Sequence, residues 1–299
     1  MKAFKVIAEI GSNWYAGDPD KSFAQAMLCT EQAIEAGADI VKFQLFRADT
    51  LYSRTRAPKL HERVKNFELP LEWIPKIALA AHGHGRKFWL SIFDASFIPL
   101  VVDYVDGLKV ASGDATNYSL IQAVGEACAS HKKTMAISLG ATTEAEVYQA
   151  IDTAIHYPTV GLVVFHCVSA YPAKDEDYNL RSFPQFREDV DAIGLSDHTQ
   201  YSTLAPLALA LGYTYFEKHV RPSFSKSELE RILQLPVQSG DWTFAMSPYS
   251  LWDYIDGLKM AQKALGVTEK AVQKNEESER LWARRGSDGL RPVDGVTEK

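Results

Sequence analysis

The sequence predicts an α/β protein built as a (β/α)8 TIM barrel with a short extended C-terminal tail. Three features carry that expectation. Eight short apolar, β-rich runs recur between residues 3 and 216, with helix-length segments between most of them. The runs lack a polar face, as parallel strands buried on both sides do. Eight such repeats fit a closed barrel better than an open sheet. The 299 residues, 46% hydrophobic and 23% charged, are ample for a full core.

In chain order, Ala3 to Ile10 is the first strand, ended by Gly11. Asp18 to Gly37 carries Phe23, Met27, Ala33 and Ala36 at helical spacing. Asp39 to Phe46 is the second strand. Arg47 to Phe67 is polar, a long loop or short helix. Pro70 to His84 is a helix and Lys87 to Phe93 the third strand. Gly107 to Ala111 is a strand, Ser119 to Ser130 a helix, and Lys133 to Leu139 a strand ended by Gly140. Thr142 to His156 is a helix whose threonines precede Glu144 and Glu146, a capping-box start. Gly161 to His166 is the sixth strand, with its helix expected near Leu180 to Val190. Ile193 to Leu195 and Tyr213 to Phe216 are the last two strands, around a helix from Tyr201 to Leu211 ended by Gly212. Ser247 to Leu265 closes the fold as a helix, with Leu251, Tyr254, Ile255, Leu258, Ala261 and Leu265 on one face. We therefore expect a barrel domain over residues 1–268. The charged, Gly- and Pro-bearing residues 269–299 read as an extended tail or an arm on a neighbour.

A net charge of −6 argues against a general affinity for nucleic acid, while leaving room for a local anion site. Cys29, Cys128 and Cys167 are widely spaced and odd in number, giving neither a disulfide framework nor a zinc pattern. A reducing, cytoplasmic compartment is the expectation. The opening MKAFKVIAEIG turns polar too early for a signal peptide. No apolar run approaches the ~20 residues of a membrane span.

Chemistry gathers between Gly194 and Val220. Strand, helix, strand with a short connection is a parallel βαβ unit, which places His198 and His219 at the carboxyl ends of neighbouring strands. Ligands of barrels sit at that edge. Two imidazoles with carboxylates close by, Asp197 and Glu217, suit a divalent transition metal with open positions. The plain alternative is two unrelated loop histidines.

Lysine inside a buried strand needs a reason, because an unpaired buried ammonium is costly. Lys42 and Lys109 both occupy strands. Alternation points Gln44 with Lys42, and His219 with Glu217. If these face the barrel mouth, they line one cavity together with Glu9. Two sheltered lysines imply an anion, shared with the hydroxyls of Ser112, Ser138 and Ser196. Either lysine alone reads equally as an edge or snorkelling residue. Cys167 reads as a small buried hydrophobe, and His166 as a satisfied core histidine, with a place lining the cavity as the alternative. His82 and His84 read as surface. Trp73, Trp89 and Trp252 suit packing, while Trp14 and Trp242 fall in loops able to wall a substrate site.

Seven segments together resemble a known family: AEIGSN (8–13), AGADIVKFQLF (36–46), GLKVASGDATNYSLI (107–121), AISLGAT (136–142), VFHCVSAYPAKDEDYNL (164–180), IGLSDHT (193–199) and ALGYTYFEKH (210–219). The chain is similar to the catalytic barrel of N-acetylneuraminate (sialic acid) synthases, phosphoenolpyruvate-dependent enzymes that make 3-deoxy sugar acids. The resemblance implies that His198 and His219 hold a divalent ion of the Mn²⁺ type, with Mg²⁺ or Co²⁺ as alternatives. It places Lys42, Lys109, Ser112, Ser138 and Ser196 at phosphoenolpyruvate-binding positions. Glu9, Gln44, Tyr171 and Asp241 match positions near the sugar or the metal, and Ser169 stands at the Asn or Ser before the YP of strand six. Asp114 replaces the family glutamate suited to activating water, keeping the charge but shortening the reach. The implied partners are phosphoenolpyruvate and a sugar aldehyde, with no nucleic acid or membrane, in a homodimer.

Departures accompany the match. Trp14 follows Asn13 where the family reads NHNG. Ser91 is followed by Ile92 and Phe93 where STPF is usual. A longer insertion, Val220 to Phe244, keeps Asp241 but puts Trp242 at the usual histidine. The family's C-terminal antifreeze-like domain is expected to be absent, with ESERLWARRG as a remnant of the lead into it. The same residues admit two other readings: a metal-dependent aldolase or lyase that does not use phosphoenolpyruvate, and a non-catalytic barrel scaffold.

Overall fold

Eight parallel strands close on themselves in sequence order, each hydrogen-bonded to its chain neighbours and the eighth to the first. They are β1 (Lys5–Glu9), β2 (Ile40–Leu45), β3 (Lys87–Ile92), β4 (Gly107–Val110), β5 (Thr134–Ser138), β6 (Gly161–Cys167), β7 (Ala192–Asp197) and β8 (Tyr215–His219). The computed structural model describes residues 3–159, 161–201, 203–224, 226–233 and 239–296. The predicted (β/α)8 barrel is the architecture observed.

The helices are α1 (Pro19–Glu35), α2 (Ala48–Leu51), α3 (Pro58–Lys65), α4 (Ile74–Gly83), α5 (Ile98–Val101), α6 (Tyr118–His131), α7 (Glu144–Ile155), α8 (Leu204–Ala210), α9 (Lys226–Leu233), α10 (Pro248–Leu265) and α11 (Glu277–Ala283). Local chemistry sets their ends. Asp18 caps α1 by accepting from Lys21 N, with Pro19 at the first helical position. Thr143 and Glu146 form the expected capping box on α7.

Side-chain alternation sorts each strand into an outer and an inner set. Outward residues such as Val6, Val41, Phe43, Leu90, Leu108, Ile137 and Leu195 join the main core between strands and helices. Inward, Ile7, Ile40, Trp89, Ala136, Val163 and Phe165 form a separate cluster that fills the lower lumen. Trp89 and Phe165 each approach the Tyr215 ring there, at 6.1 and 6.3 Å between centroids. Inward residues nearer the carboxyl ends are polar: Glu9, Lys42, Ser91, Lys109, Ser138, Ser196 and Glu217, all buried. The lumen is thus apolar below and charged above.

Several boundaries differ from the expectation. The segment after β6 forms 3-10 turns over Asp175–Tyr178, Leu180–Ser182 and Pro184–Asp189, not an α-helix. Pro184 lacks an N–H, and Asn179 sits at φ +45°, so no continuous helix can pass through them. The helix expected from Tyr201 begins only at Leu204, and β8 starts at Tyr215, so His219 ends that strand instead of following it. Trp252 is 50% exposed where packing was expected, whereas Leu251, Tyr254, Ile255 and Leu258 of α10 are buried as read. Within the Val220–Phe244 insertion, residues 225 and 234–238 lie outside the described residues. Met1–Gln262 forms one compact unit and Lys263–Lys299 a second, small one. The second contains α11 and a turn in which Gly286 N donates to Leu290 O at 2.7 Å. No helix among the described residues is long and apolar enough to cross a membrane.

Gly194 on β7 faces the lumen where the Phe165 ring lies. An added Cβ would sit 2.5 Å from that ring, inside the buried floor. We predict that Gly194→Ala costs about 2 kcal/mol through overpacking. Thermal denaturation should show a fall of roughly 4–8 °C; an unchanged midpoint would contradict the filled floor.

Candidate active site

The upper lumen is a connected charge network. Lys42 from β2 bonds the Glu9 carboxylate of β1, donates to Ser91 Oγ on β3 at 2.9 Å, and lies 3.5 Å from Glu217 Oε2 on β8. Lys109 from β4 reaches across the barrel to Glu217 Oε1 at 2.7 Å and stands 3.4 Å from Ser196 Oγ. Ser196 and Ser138 hydroxyls are 3.1 Å apart. Glu9 Oε1 also accepts from Gly11 N at 2.8 Å. Two ammonium groups and two carboxylates are therefore buried together, the arrangement that makes each tolerable in a low dielectric.

The network biases each member. Burial alone would raise the Glu217 carboxyl, but Lys109 and Lys42 hold it down to about 2. Burial opposes the Lys42 charge, yet Glu217 and then Glu9 raise its pKa overall. Lys109 is lowered, because burial outweighs the help of Glu217. Burial raises Glu9 against the pull of Lys42. Phe165 lies beneath Lys109, its ring centroid 5.1 Å from the ammonium.

Above the network stand the two imidazoles. The His198 and His219 ring centroids are 5.5 Å apart. His198 Nδ1 is 2.8 Å from the Val168 carbonyl, so it carries the proton and leaves Nε2 free to ligate. His219 Nδ1 is buried with no hydrogen-bond partner among the described residues, 3.9 Å from Asp241 Oδ2. Burial, then His219, pushes His198 down to about 3, and burial pushes His219 to about 3 as well. Both rings are neutral at ordinary pH, the form that binds metal. Asp241 is held by Ser12 N at 2.7 Å and Ser12 Oγ at 2.8 Å, and burial raises its pKa. Gly11, at φ +54°, lets the chain pass: a Cβ there would clash with Asp241 and crowd His219 Nδ1.

Two neutral imidazoles, one with an orphaned nitrogen beside a carboxylate, fit a divalent cation. Among the described residues, no group of three His, Cys, Asp or Glu side chains is arranged to hold one unaided. A bound ion would draw further ligands from substrate or solvent.

The other expected residues lie around the rim. Ser112 and Ser169 hydroxyls bond at 3.0 Å. Tyr171 tilts over His198 at 4.3 Å and over Phe244 at 5.4 Å. Gln44 is half-buried on β2, two residues beyond Lys42. Asp114 is half-buried on the turn after β4, accepts from Asn117 Nδ2 at 3.2 Å, and is raised by burial.

Some expectations are corrected. Asp197 is not beside the imidazoles; it faces the outer layer, 3.1 Å from Lys218. Trp14 does not wall the mouth but is buried edge-on against Trp73 at 5.4 Å. The Trp242 ring lies 4.9 Å from the Arg221 guanidinium. His166, by contrast, is the satisfied core histidine expected, facing outward and stacked on Phe183 at 4.8 Å with Nδ1 2.9 Å from the Tyr213 hydroxyl. Ser91 and Phe244 were missed. Ser91 pairs in register with Gln44 and Lys109, so strand parity alone could have placed it in the lumen. Phe244, packed on both imidazoles at 5.9 and 4.8 Å, left no signal in the sequence. A cavity of about 540 Å³ opens beside Ser169, between α7 and the turns after β6, and not over the imidazoles.

Comparison with known proteins agrees with this fold. The NeuB family model matches residues 29–270. The N,N'-diacetyllegionaminic acid synthase of Legionella pneumophila is 32% identical over 94% of this chain and 78% of its own length. The pseudaminic acid synthase of Campylobacter jejuni is 27% identical over 93% of this chain and 80% of its own. Among solved structures, the N-acetylneuraminic acid synthetase of Leptospira borgpetersenii, in complex with citrate, superposes with a TM-score of 0.77 over 93% of this chain and 90% of that one, at 24% identity, a likeness of fold.

His166 generates a prediction about acid. Burial lowers its pKa from 6.5 to about 4, and its Nδ1 proton faces the Tyr213 oxygen. The unfolded chain takes up a proton first, so the penalty on folding begins below pH ~6.5 and is complete near pH 4, at roughly 3 kcal/mol. Denaturant titrations from pH 7 to pH 4 should show a shallower loss of stability in His166→Phe than in the native chain. Equal slopes would contradict a neutral buried imidazole.

Proposed function

Because this chain belongs to the NeuB family of phosphoenolpyruvate-dependent synthases, we propose that its barrel mouth joins phosphoenolpyruvate to an open-chain amino-sugar aldehyde. The product is a sialic-acid-like 3-deoxy-2-keto sugar acid, with phosphate released by C–O cleavage. One observation carries the reading. Lys42 and Lys109 enter the same lumen and share one carboxylate, Glu217, directly below two neutral imidazoles.

In this reading the ammonium groups of Lys42 and Lys109, with the hydroxyls of Ser112, Ser138 and Ser196, grip the phosphate and carboxylate of phosphoenolpyruvate. Glu9 and Glu217 hold the two ammonium groups in position before it arrives. Gln44, Ser169, Tyr171 and Asp241 face the sugar. His198 and His219 would hold a divalent ion, Mn²⁺ or alternatively Mg²⁺ or Co²⁺, which would supply Lewis-acid polarisation of the aldehyde oxygen. C3 of phosphoenolpyruvate forms a bond to the aldehyde carbon, and the aldehyde oxygen gains a proton to become a hydroxyl. Electron deficiency then develops at C2. Water adds there, giving up a proton to Asp114, whose burial makes it a better base than an exposed carboxylate. The C2–O bond to the phosphate then breaks, the C2 hydroxyl passes its proton to the departing phosphate as the carbonyl forms, and the proton left on Asp114 balances the one taken up by the aldehyde oxygen. Most of the acceleration is positioning of the two reactants by fixed charges. These residues lie between 9 and 241, which supports assigning residues 1–268 to the catalytic unit. The relatives that make legionaminic and pseudaminic acids favour an acetamido sugar as acceptor.

The experiment is phosphate release from phosphoenolpyruvate across a panel of amino-sugar aldehydes with Mn²⁺. Aldehyde-dependent release, abolished by chelator and restored by metal, is expected. No turnover with any aldehyde, in a folded sample, sinks the reading. Separately, calorimetry on Lys109→Ala should show phosphoenolpyruvate binding weakened by roughly 10- to 100-fold, the worth of one charge-assisted contact.

A further inference from the structure

Two charged residues of the histidine segments stay out of the lumen. Strand parity turns Asp197 of β7 and Lys218 of β8 to the outer face, while Ser196, Glu217 and His219 point in. Both Asp197 and Lys218 are fully buried. Lys218 Nζ lies 3.1 Å from Asp197 Oδ1, donates to the Thr199 carbonyl, and reaches the Tyr201 carbonyl at 3.4 Å. Asp197 Oδ1 in turn accepts from Thr199 N at 2.8 Å and Thr199 Oγ1 at 2.7 Å. That closes a turn whose middle residue is His198. Tyr178 holds the same turn from outside, accepting from His198 N at 2.8 Å and donating to the Ser196 carbonyl at 2.9 Å.

One ammonium therefore grips the residues on both sides of His198 while its own backbone is covalently next to His219. Nothing else described spans the two histidines in this way from the outer face. Net stability does not account for the arrangement. A buried ion pair gains little over a well-packed apolar pair of similar volume, though losing one partner is costly. Fixing geometry does account for it, since groups behind metal-binding imidazoles set the direction in which those imidazoles point.

We propose that Lys218, acting through Asp197 and the Thr199 carbonyl, is a positioning residue that sets the separation and aim of the His198 and His219 imidazoles. The inference rests on the reading in which those two rings share a divalent ion. It assigns a role to the Asp of the SDH segment and the Lys of the EKH segment, which no step of the proposed reaction uses.

The test compares the native chain with Lys218→Met and with the double variant Asp197→Leu, Lys218→Met. The double variant leaves no unpaired charge, so it keeps the question open if the single one fails to fold. Four measurements are made: melting temperature, Mn²⁺ affinity by electron paramagnetic resonance, phosphoenolpyruvate affinity by calorimetry, and imidazole nitrogen–proton correlations of the metal-free protein by NMR. The double variant should recover most of the melting temperature lost in Lys218→Met. Its Mn²⁺ dissociation constant should still be roughly 10- to 100-fold above native. Phosphoenolpyruvate affinity should stay native, and the His198 and His219 resonances should shift. Native Mn²⁺ affinity with unmoved resonances in a folded double variant overturns the inference and leaves the proposed reaction standing. Equal loss of both ligands also overturns it, because the effect is then general damage. Absence of Mn²⁺ binding in the native chain is the separate failure, that of the metal reading. The metal-free resonances still decide the positioning role in that event: shifted, they support it; unmoved, they overturn it.

Discussion

Glu217 sits between two ammonium groups, and the rest of the lumen follows from that bridge. An isolated ammonium in a closed barrel is too costly to keep charged, so each lysine needs a carboxylate within hydrogen-bond reach. Lys109 uses Glu217, and Lys42 uses both Glu9 and Glu217. Strand register brings these residues to one level: Glu9 pairs with Lys42 and with His219, and Ser196 with Glu217. A shift of one residue in any of these pairings would exchange the charged set with the apolar outer face. The closure of the sheet and the neutrality of its polar layer are thus one constraint seen at two scales.

A dianionic or trianionic ligand entering this layer finds two cations already partnered. Its binding must compete with Glu9 and Glu217 for the same protons and the same positive charge. The benefit is preorganisation: the ammonium groups are immobile before the ligand arrives, and little reorganisation is left for the reaction. The neutral imidazoles above add no positive charge of their own, which leaves that end of the site open to a cation.

Much of this was legible in the residues. Apolar runs at regular spacing gave the barrel, and lysines inside such runs stood out because they break the rule for buried strands. Ser91 was overlooked for the opposite reason: serine on a strand breaks no rule, although its parity matches Lys109 and Gln44. Closeness in sequence suggests that Asp197 sits beside His198, but strand parity turns it to the other face with Lys218. The segment after β6 misled because its acidic and apolar residues imitate an amphipathic helix, while Asn179 and Pro184 break it into single turns. Phe244 and Trp14 show what a linear reading lacks. Whether a loop aromatic covers a site or sinks into the core depends on contacts far along the chain, such as Trp14 with Trp73.

The aromatic floor of Trp89, Phe165 and Tyr215 makes the barrel a blind well. A well fills from the bottom. On the proposed reading, whatever rests on the lysines would have to arrive before anything larger lies across the imidazoles, and the upper occupant would have to depart, alone or joined to the lower, before the deep position could be refilled. On that reading, the order of arrival would then follow from which end of the lumen is stoppered.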